Sequence, residues 1–188
     1  YVYINEYENY FFVTFEEGKV AEIFVPTQAF TYLGTDGTTP VAQIEDITRM
    51  SAIDHSAVIE DDNFIAKLIL NYEGEIAGIL LQTKEFAITE KIDDNISLEM
   101  KEALQKEALD IIQANRKEAG LTAYNYSEKL AMVSQMHCTN MVEKGFFGYN
   151  SQDGTTPFAR IMAQNMKFTT ASEVITRQRG DIISTYQE

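Results

Sequence analysis

Two side chains of the kind that catalyse reactions or bind metals lie next to each other, His137 and Cys138. An imidazole can act as a general base or a metal ligand, and a thiolate can act as a nucleophile. His137 falls on an apolar helical stripe, where a histidine is more often a hydrogen-bonded core residue than a ligand. Cys138 has no adjacent basic cluster to stabilise a thiolate, so we do not expect a nucleophilic cysteine. The sequence also contains no nucleophile-elbow serine and no glycine-rich phosphate loop.

Two amphipathic helices must position these residues. Ser97 is a good cap for a helix running to about Glu118, which Gly120 then stops. Ser127 caps a second helix, which ends at Gly145. The apolar stripe of the first helix is Ala103, Leu104, Ala108, Leu109, Ile111 and Ile112, and that of the second is Leu130, Val133, His137 and Met141.

Residues 1–92 differ from the helical half, because they are rich in Val, Ile, Phe and Tyr with period-two alternation, which predicts strands. Placing Gly18 over Gly74 aligns two hairpins with Glu-Gly at their tips, and the runs 1–5 and 55–60 predict a strand before each. Thr38-Thr39-Pro40 indicates the start of a threonine-capped helix over 41–47. The sequence Asp36-Gly37-Thr38-Thr39-Pro40 is repeated at 153–157, where it indicates the start of a second threonine-capped helix. The economical interpretation is a duplicated unit of one helix and three strands.

Composition excludes several classes of protein. The net charge of -14 repels phosphate backbones, so we expect no nucleic-acid partner. The single cysteine rules out an intrachain disulfide framework. The longest apolar runs, such as 76–81, are strand-sized and far below the roughly 18 to 20 residues that span a bilayer, so no membrane span is expected in this chain.

Several segments of the helical half occur in one fixed order. They are Leu109-Asp110-Ile111-Ile112-Gln113-Ala114-Asn115-Arg116, His137-Cys138-Thr139-Asn140-Met141, Gly145-Phe146-Phe147-Gly148-Tyr149 and Asp153-Gly154-Thr155-Thr156-Pro157-Phe158. Their order and spacing resemble the bacterial branch of the CAP superfamily, the cysteine-rich secretory, antigen and pathogenesis-related proteins. The first half resembles the CAP-associated amino-terminal domain that precedes the CAP domain in some Gram-positive proteins.

The resemblance and the repeat together predict an α+β fold. A duplicated helix-plus-three-strand domain would occupy 1–92, and a CAP-type α-β-α sandwich would occupy 97–188. Most of the sheet of a CAP domain follows the segment where this chain stops, so we expect the C-terminal part of that domain to be absent. The exposed helix faces would then be covered by further chain, by the first half or by a second copy.

The resemblance also implies a set of cleft residues. In the CAP family two histidines and two glutamates line a cleft that holds a divalent cation in some members. One histidine aligns with Tyr149, and a phenol is a poor metal ligand at neutral pH. One glutamate aligns with Glu173, although a carboxylate satisfying backbone donors explains that residue equally well. The second glutamate falls near Glu188, and His137 stands where bacterial members write Ala-His-Ser-x-Asp-Met.

The function implied is that of an exported or cell-surface bacterial protein that binds a protein or cell-envelope partner without catalysis. We assign no catalytic, cofactor or metal residue, and expect a divalent metal only if chain beyond Glu188 restores a histidine. Two alternatives stay open. One is a metal-assisted hydrolase or peptidase that uses Glu173, and the other is a carrier of apolar ligands in a groove lined by Met132, Met136 and Met141. The oligomeric state does not follow from the sequence.

Overall fold

The computed structural model describes residues 7, 9–52, 55–89 and 97–176. Strands come first and the long helices follow, so the α+β class predicted from the sequence is confirmed. The elements are β1 (Phe12–Glu16), β2 (Lys19–Val25), β3 (Thr31–Tyr32), β4 (Thr35–Asp36), β5 (Ile47–Ser51), β6 (Ser56–Glu60), β7 (Phe64–Leu70), β8 (Ile76–Thr83), α1 (Lys84–Thr89), α2 (Leu98–Glu118), α3 (Glu128–Lys144) and α4 (Pro157–Ala163).

The chain packs as two compact units, and the boundary between them follows Tyr124. We call the first the sheet unit, which contains strands β1 to β8 together with α1 and α2. We call the second the helical unit, which contains α3 and α4 and whose described residues are 125–176. The domain limits inferred from sequence, 1–92 and 97–188, stay a prediction, since a packing unit need not coincide with a homologous domain.

The sheet unit is built on one antiparallel sheet in the order β1-β2-β8-β7-β6-β5. Both predicted hairpins are present, as β1 with β2 and as β7 with β8. Gly18 and Gly74 lie in their turns at φ of 79° and 82°, a conformation that glycine adopts without steric cost. The strand predicted over 55–60 is β6, whereas the one predicted over 1–5 lies outside the described residues.

The pairing of β2 with β8 is symmetric about one pair of residues. Phe24 faces Leu80 directly, and the alignment that places Gly18 over Gly74 also places Phe24 over Leu80. On either side, Ile23 pairs with Leu81 and Val25 pairs with Ile79. A local twofold axis through Phe24 and Leu80 therefore exchanges these pairs, as expected where two copies of a hairpin meet. This symmetry favours the duplication inferred from the sequence.

The two faces of the sheet are covered by different parts of the chain, because successive side chains of a strand point to opposite faces. On the first face, a buried cluster of strand residues includes Phe12 and Phe24 and packs with Ile111 and Ala114 of α2. On the second face, another cluster packs against the segment 30–47.

Helix α2 therefore buries its apolar face on the strands of the first half, which is one of the alternatives left open above. Its predicted cap is confirmed, because the Ser97 hydroxyl accepts a hydrogen bond from Met100 N. Gly120, at φ 68°, follows the end of the helix as expected. Ile112, which the stripe placed inside, is instead partly exposed. None of the helices in the described ranges combines the length and apolar character that crossing a bilayer requires.

The prediction of a helix over 41–47 is wrong. Only a single 3-10 turn forms, at Val41–Gln43, and the chain then enters β5. One physical reason is that the Thr39 hydroxyl does not cap a helix but turns back, accepting a hydrogen bond from Asp36 N and donating one to the Asp36 carboxylate. The segment between the two hairpins thus contains a short 3-10 turn where a helix was expected.

Candidate functional site

The candidate site lies in the helical unit, around the loop that follows α3. The Ser127 hydroxyl accepts a hydrogen bond from Leu130 N at the start of α3, and Gly145 ends the helix in the left-handed conformation at φ 66°. Both ends were predicted. Val133, His137 and Met141 form the buried side of the helix, as their spacing predicted, whereas Leu130 is partly exposed.

A hydrogen bond from His137 holds the loop that follows α3. The residue is 2% exposed, and its Nε2 lies 2.9 Å from the carbonyl oxygen of Gly148. Because a carbonyl oxygen only accepts, Nε2 must carry the proton and donate it, which leaves Nδ1 as a bare acceptor in the neutral ring. Nδ1 is buried and has no hydrogen-bond partner among the described residues. The contacts of His137 are thus those of a core residue that orients a loop.

Arg160 of α4 also forms hydrogen bonds to this loop. The Thr156 hydroxyl caps α4 by accepting from Ala159 N, so the second helix start predicted from a Thr-Thr-Pro sequence is confirmed. One terminal nitrogen of Arg160, Nη1, donates to the carbonyl oxygens of Tyr149 at 2.9 Å and of Thr155 at 3.2 Å. Gly148 and Tyr149 are neighbours, so two successive carbonyl groups are held, one by His137 and one by Arg160.

Glu173 forms an ion pair with Arg160. Nη2 of Arg160 lies 2.8 Å from Oε2 and 3.0 Å from Oε1 of Glu173, and the two side chains are 11% and 18% exposed. A largely buried carboxylate needs a compensating cation or several donors, and Arg160 meets that need. Both oxygens of Glu173 are therefore already engaged within the described part of the chain.

The Tyr149 side chain is half exposed, although its backbone is held by Arg160. A phenol is a hydrogen-bonding and stacking group on an amphipathic ring, and such rings are common at binding interfaces. A fixed backbone under a half-exposed ring is an arrangement suited to recognition, because the ring loses little conformational freedom when it binds.

Cys138 does not have the features of a reactive thiol. Desolvation raises the pKa of the Cys138 thiol above its usual value, and the negative charge of Glu173 raises the pKa further. The residue as a whole is exposed, but a higher pKa lowers the thiolate fraction at neutral pH. The expectation that Cys138 is not a nucleophile agrees with this environment.

The donors for a metal site do not come together in the described part of the chain. No group of three His, Cys, Asp or Glu side chains has a suitable arrangement there. Glu188 lies outside the described residues, so the second glutamate implied by the CAP resemblance is not placed. Met132 and Met136 are 45% and 58% exposed, whereas Met141 is buried. The groove that these three residues would line stays a prediction.

Sequence reasoning missed Arg160. The residue follows Pro157 in a short helix, and nothing in its spacing indicates that it contacts Tyr149 and Glu173. Its role depends on contacts between segments that are 11 and 13 residues apart in the chain. Helical or strand periodicity does not report such contacts.

Comparison with known proteins identifies the fold. Among the solved structures that are similar to this chain, two each cover 95% of it. One is an extracellular protein containing an SCP domain from Bacillus anthracis, with a TM-score of 0.81, 13% identity and 70% of its own chain covered. The other is a cysteine-rich secretory protein from Staphylococcus aureus, with a TM-score of 0.77, 11% identity and 68% covered.

No protein-family model and no curated protein matches the sequence. At these identities the structural similarity shows the fold alone. The chain has the mixed α and β fold of bacterial SCP-domain, or CAP-domain, proteins, as its residues led us to expect.

Proposed function

We propose that this chain belongs to an exported or cell-surface bacterial CAP protein and acts as a binding module without catalysis, with Tyr149 at the centre of the contact surface. The first half would be the CAP-associated domain. The partner would be another protein or a component of the cell envelope. The export of the similar Bacillus and Staphylococcus proteins, one described as extracellular and one as secretory, supports this location.

The observation that carries the proposal is the engagement of Glu173 by Arg160 beside a half-exposed Tyr149. A glutamate that acts as a base or a metal ligand needs an oxygen directed at the substrate or the ion. Here both oxygens contact a guanidinium, and the ring at the position of the family histidine is a phenol. These features favour recognition over hydrolysis.

Further aromatic side chains of the helical unit support a binding role. Phe147, Phe158 and Phe168 are all partly exposed, and the rings of Phe158 and Phe168 stack with centroids 6.1 Å apart. Large exposed aromatic side chains are enriched at protein interfaces and provide much of their binding energy.

The test is binding of the purified protein to isolated cell envelopes from a Gram-positive bacterium, measured by sedimentation. We expect Tyr149→Ala to weaken binding roughly tenfold, the effect of losing about 1.4 kcal/mol at an aromatic contact. Tyr126→Ala is the matched control, since Tyr126 lies in the same unit and is exposed to a similar degree. Equal effects of the two substitutions would contradict a specific role for Tyr149. Stoichiometric zinc retained after dialysis, with activity lost in Glu173→Gln, would favour the hydrolase instead.

A further inference from the structure

Strand β5 forms one edge of the sheet. It pairs with β6 on one side, and no strand of the described ranges lies on its other side. Its central residues, Thr48, Arg49 and Met50, are exposed. We call residues 47–51 the β5 edge. An edge strand presents backbone groups to which an extended chain can add as a further strand.

The hydrogen bonds of β6 show which backbone groups of β5 point away from the sheet. Leu70 N donates to the His55 carbonyl oxygen at 2.7 Å, and Asp61 N donates to the Phe64 carbonyl oxygen at 3.1 Å. In an antiparallel ladder the N–H and C=O of one residue point to the same side, and those of the next residue point to the other side. The odd-numbered residues of β6 therefore face β7, and the even-numbered residues face β5.

Met50 directs its own N–H and C=O away from the sheet, because its partner across the ladder, Ala57, is an odd-numbered residue that faces β7. The preceding residue, Arg49, pairs instead with Val58. The Val58 carbonyl oxygen accepts a hydrogen bond from the Thr48 hydroxyl at 3.1 Å, which agrees with an even-numbered residue facing β5. A strand added outside β5 would therefore form hydrogen bonds with both backbone groups of Met50.

The side chain of Met50 favours an apolar residue in the added strand, since residues opposite each other in a ladder share a face. Met50 lies on the second face, because its partner Ala57 belongs to the buried cluster there. Its side chain is 62% exposed and lines, together with Leu70 and Ile76, a cavity of about 760 Å³ on that face. An apolar side chain placed opposite Met50 would be buried against an adaptable thioether.

Arg49 favours an acidic residue next to the apolar one. It precedes Met50 in the strand and so lies on the first face. It is exposed and forms no ion pair with any residue that the structure describes. A second copy of the chain would fit less well, because its own β5 edge, Ile-Thr-Arg-Met-Ser, contains no acidic residue to pair with Arg49.

We propose that the β5 edge binds an extended peptide segment of another protein as an added antiparallel strand, with an apolar residue opposite Met50 and an acidic residue opposite Arg49. This site is separate from Tyr149 and goes beyond the function proposed for the helical unit. Backbone hydrogen bonds to Met50 set the register, and the side chains on the two faces provide the specificity.

The probe is the peptide acetyl-Thr-Val-Glu-Leu-Glu-Val-Thr-amide, titrated into the full ¹⁵N-labelled chain. We expect it to shift the amide resonances of residues 47–51. A peptide methylated on the leucine nitrogen keeps every side chain but lacks the N–H that would donate to the Met50 carbonyl oxygen, and it should bind about tenfold more weakly. A peptide with glutamine in place of both glutamates should bind about threefold more weakly, the effect of one solvent-accessible ion pair.

Arg49→Gln should weaken binding of the glutamate peptide about threefold and remove its advantage over the glutamine peptide. Lys19→Gln is the matched control, because it removes the same charge from an exposed residue of β2, which is separated from β5 by three strands of the same sheet. This control should leave binding unchanged.

The proposal is overturned by equal affinity of the methylated peptide, by equal effects of Arg49→Gln and Lys19→Gln, or by resonance shifts that leave out 47–51. The absence of any shift with millimolar peptide would overturn it as well. Shifts of 47–51 that depend on protein concentration without peptide would assign the edge to a second copy of the chain, which is the competing occupant.

Discussion

The ion pair between Arg160 and Glu173 offers the sharpest test of how the helical unit is held together. Glu173→Gln keeps the shape of the side chain and one hydrogen-bond acceptor but removes the charge. Arg160→Met removes the guanidinium, so that Glu173 is left largely buried without its cation and the carbonyl groups of Tyr149 and Thr155 lose their shared donor.

The magnitudes follow from how deeply the pair is buried and from the hydrogen bonds that each substitution removes. A hydrogen bond to a charged group contributes roughly 1.5 to 3 kcal/mol, and exposed ion pairs contribute less than about 1 kcal/mol. For side chains that are 11% and 18% exposed, we expect Glu173→Gln to lower the free energy of unfolding by about 2 kcal/mol. Arg160→Met should cost about 3 to 5 kcal/mol, the range for breaking a buried pair from one side.

The assay is hydrogen exchange followed by mass spectrometry, with peptides from α3 and α4 compared with peptides from β7 and β8. We expect faster exchange in the helical unit and unchanged exchange in the sheet unit. The double variant Arg160→Met with Glu173→Gln should be no less stable than Arg160→Met alone, because the second substitution removes the uncompensated charge. A loss below about 0.5 kcal/mol in both single variants, the usual range for surface substitutions, would refute this reasoning. A stabilising effect of Glu173→Gln would instead indicate a carboxylate retained for function at the expense of stability.

Two further predictions concern the turns. Gly37→Ala should destabilise the sheet unit by about 2 kcal/mol or more, since the backbone of Gln28 must move to admit the new Cβ. Gly148→Ala should be nearly neutral, because its Cβ would meet open space. Thermal unfolding of the two variants measures the difference. Hydrogen bonds from the hydroxyl and N–H of Thr155 lower the pKa of Asp153, so its stabilising effect is complete above the unfolded pKa and disappears as pH falls through the lower, folded pKa. Asp153→Asn should therefore flatten the acid side of the stability curve, and an unchanged curve would contradict this.

Local signals predicted the ends of the elements well. Ser97 and Ser127 cap the helices that their positions indicated, and Gly145 ends α3 in the left-handed conformation. The two hairpins follow from alternation and from glycines that accept positive φ. In each case the deciding contact joins residues a few positions apart, so the sequence contains both partners within one short window.

The repeated Asp-Gly-Thr-Thr-Pro sequence shows where local signals stop being sufficient. Asp36 and Asp153 accept a hydrogen bond from the threonine N–H two residues later in both copies. Beyond this shared turn the copies differ, because α4 follows one and a 3-10 turn follows the other. Residues 41–47 contain β-branched Val41, Ile44 and Ile47, which pack against the second face of the sheet. Burial of these side chains outweighs the preference for a helix.

The sequence predicted part of the candidate site. The residue that it missed, Arg160, explains how the charge of Glu173 is balanced. The resemblance to CAP proteins indicated Tyr149 and Glu173 but not what compensates the glutamate. If a carboxylate is enclosed without a metal ion or a protonated imidazole, its charge must be balanced by another cation. Arg160 supplies that cation, and the same guanidinium fixes the backbone of Tyr149. The phenol and the ion pair are therefore parts of one arrangement, in which the charge of Glu173 stabilises the loop that displays the ring.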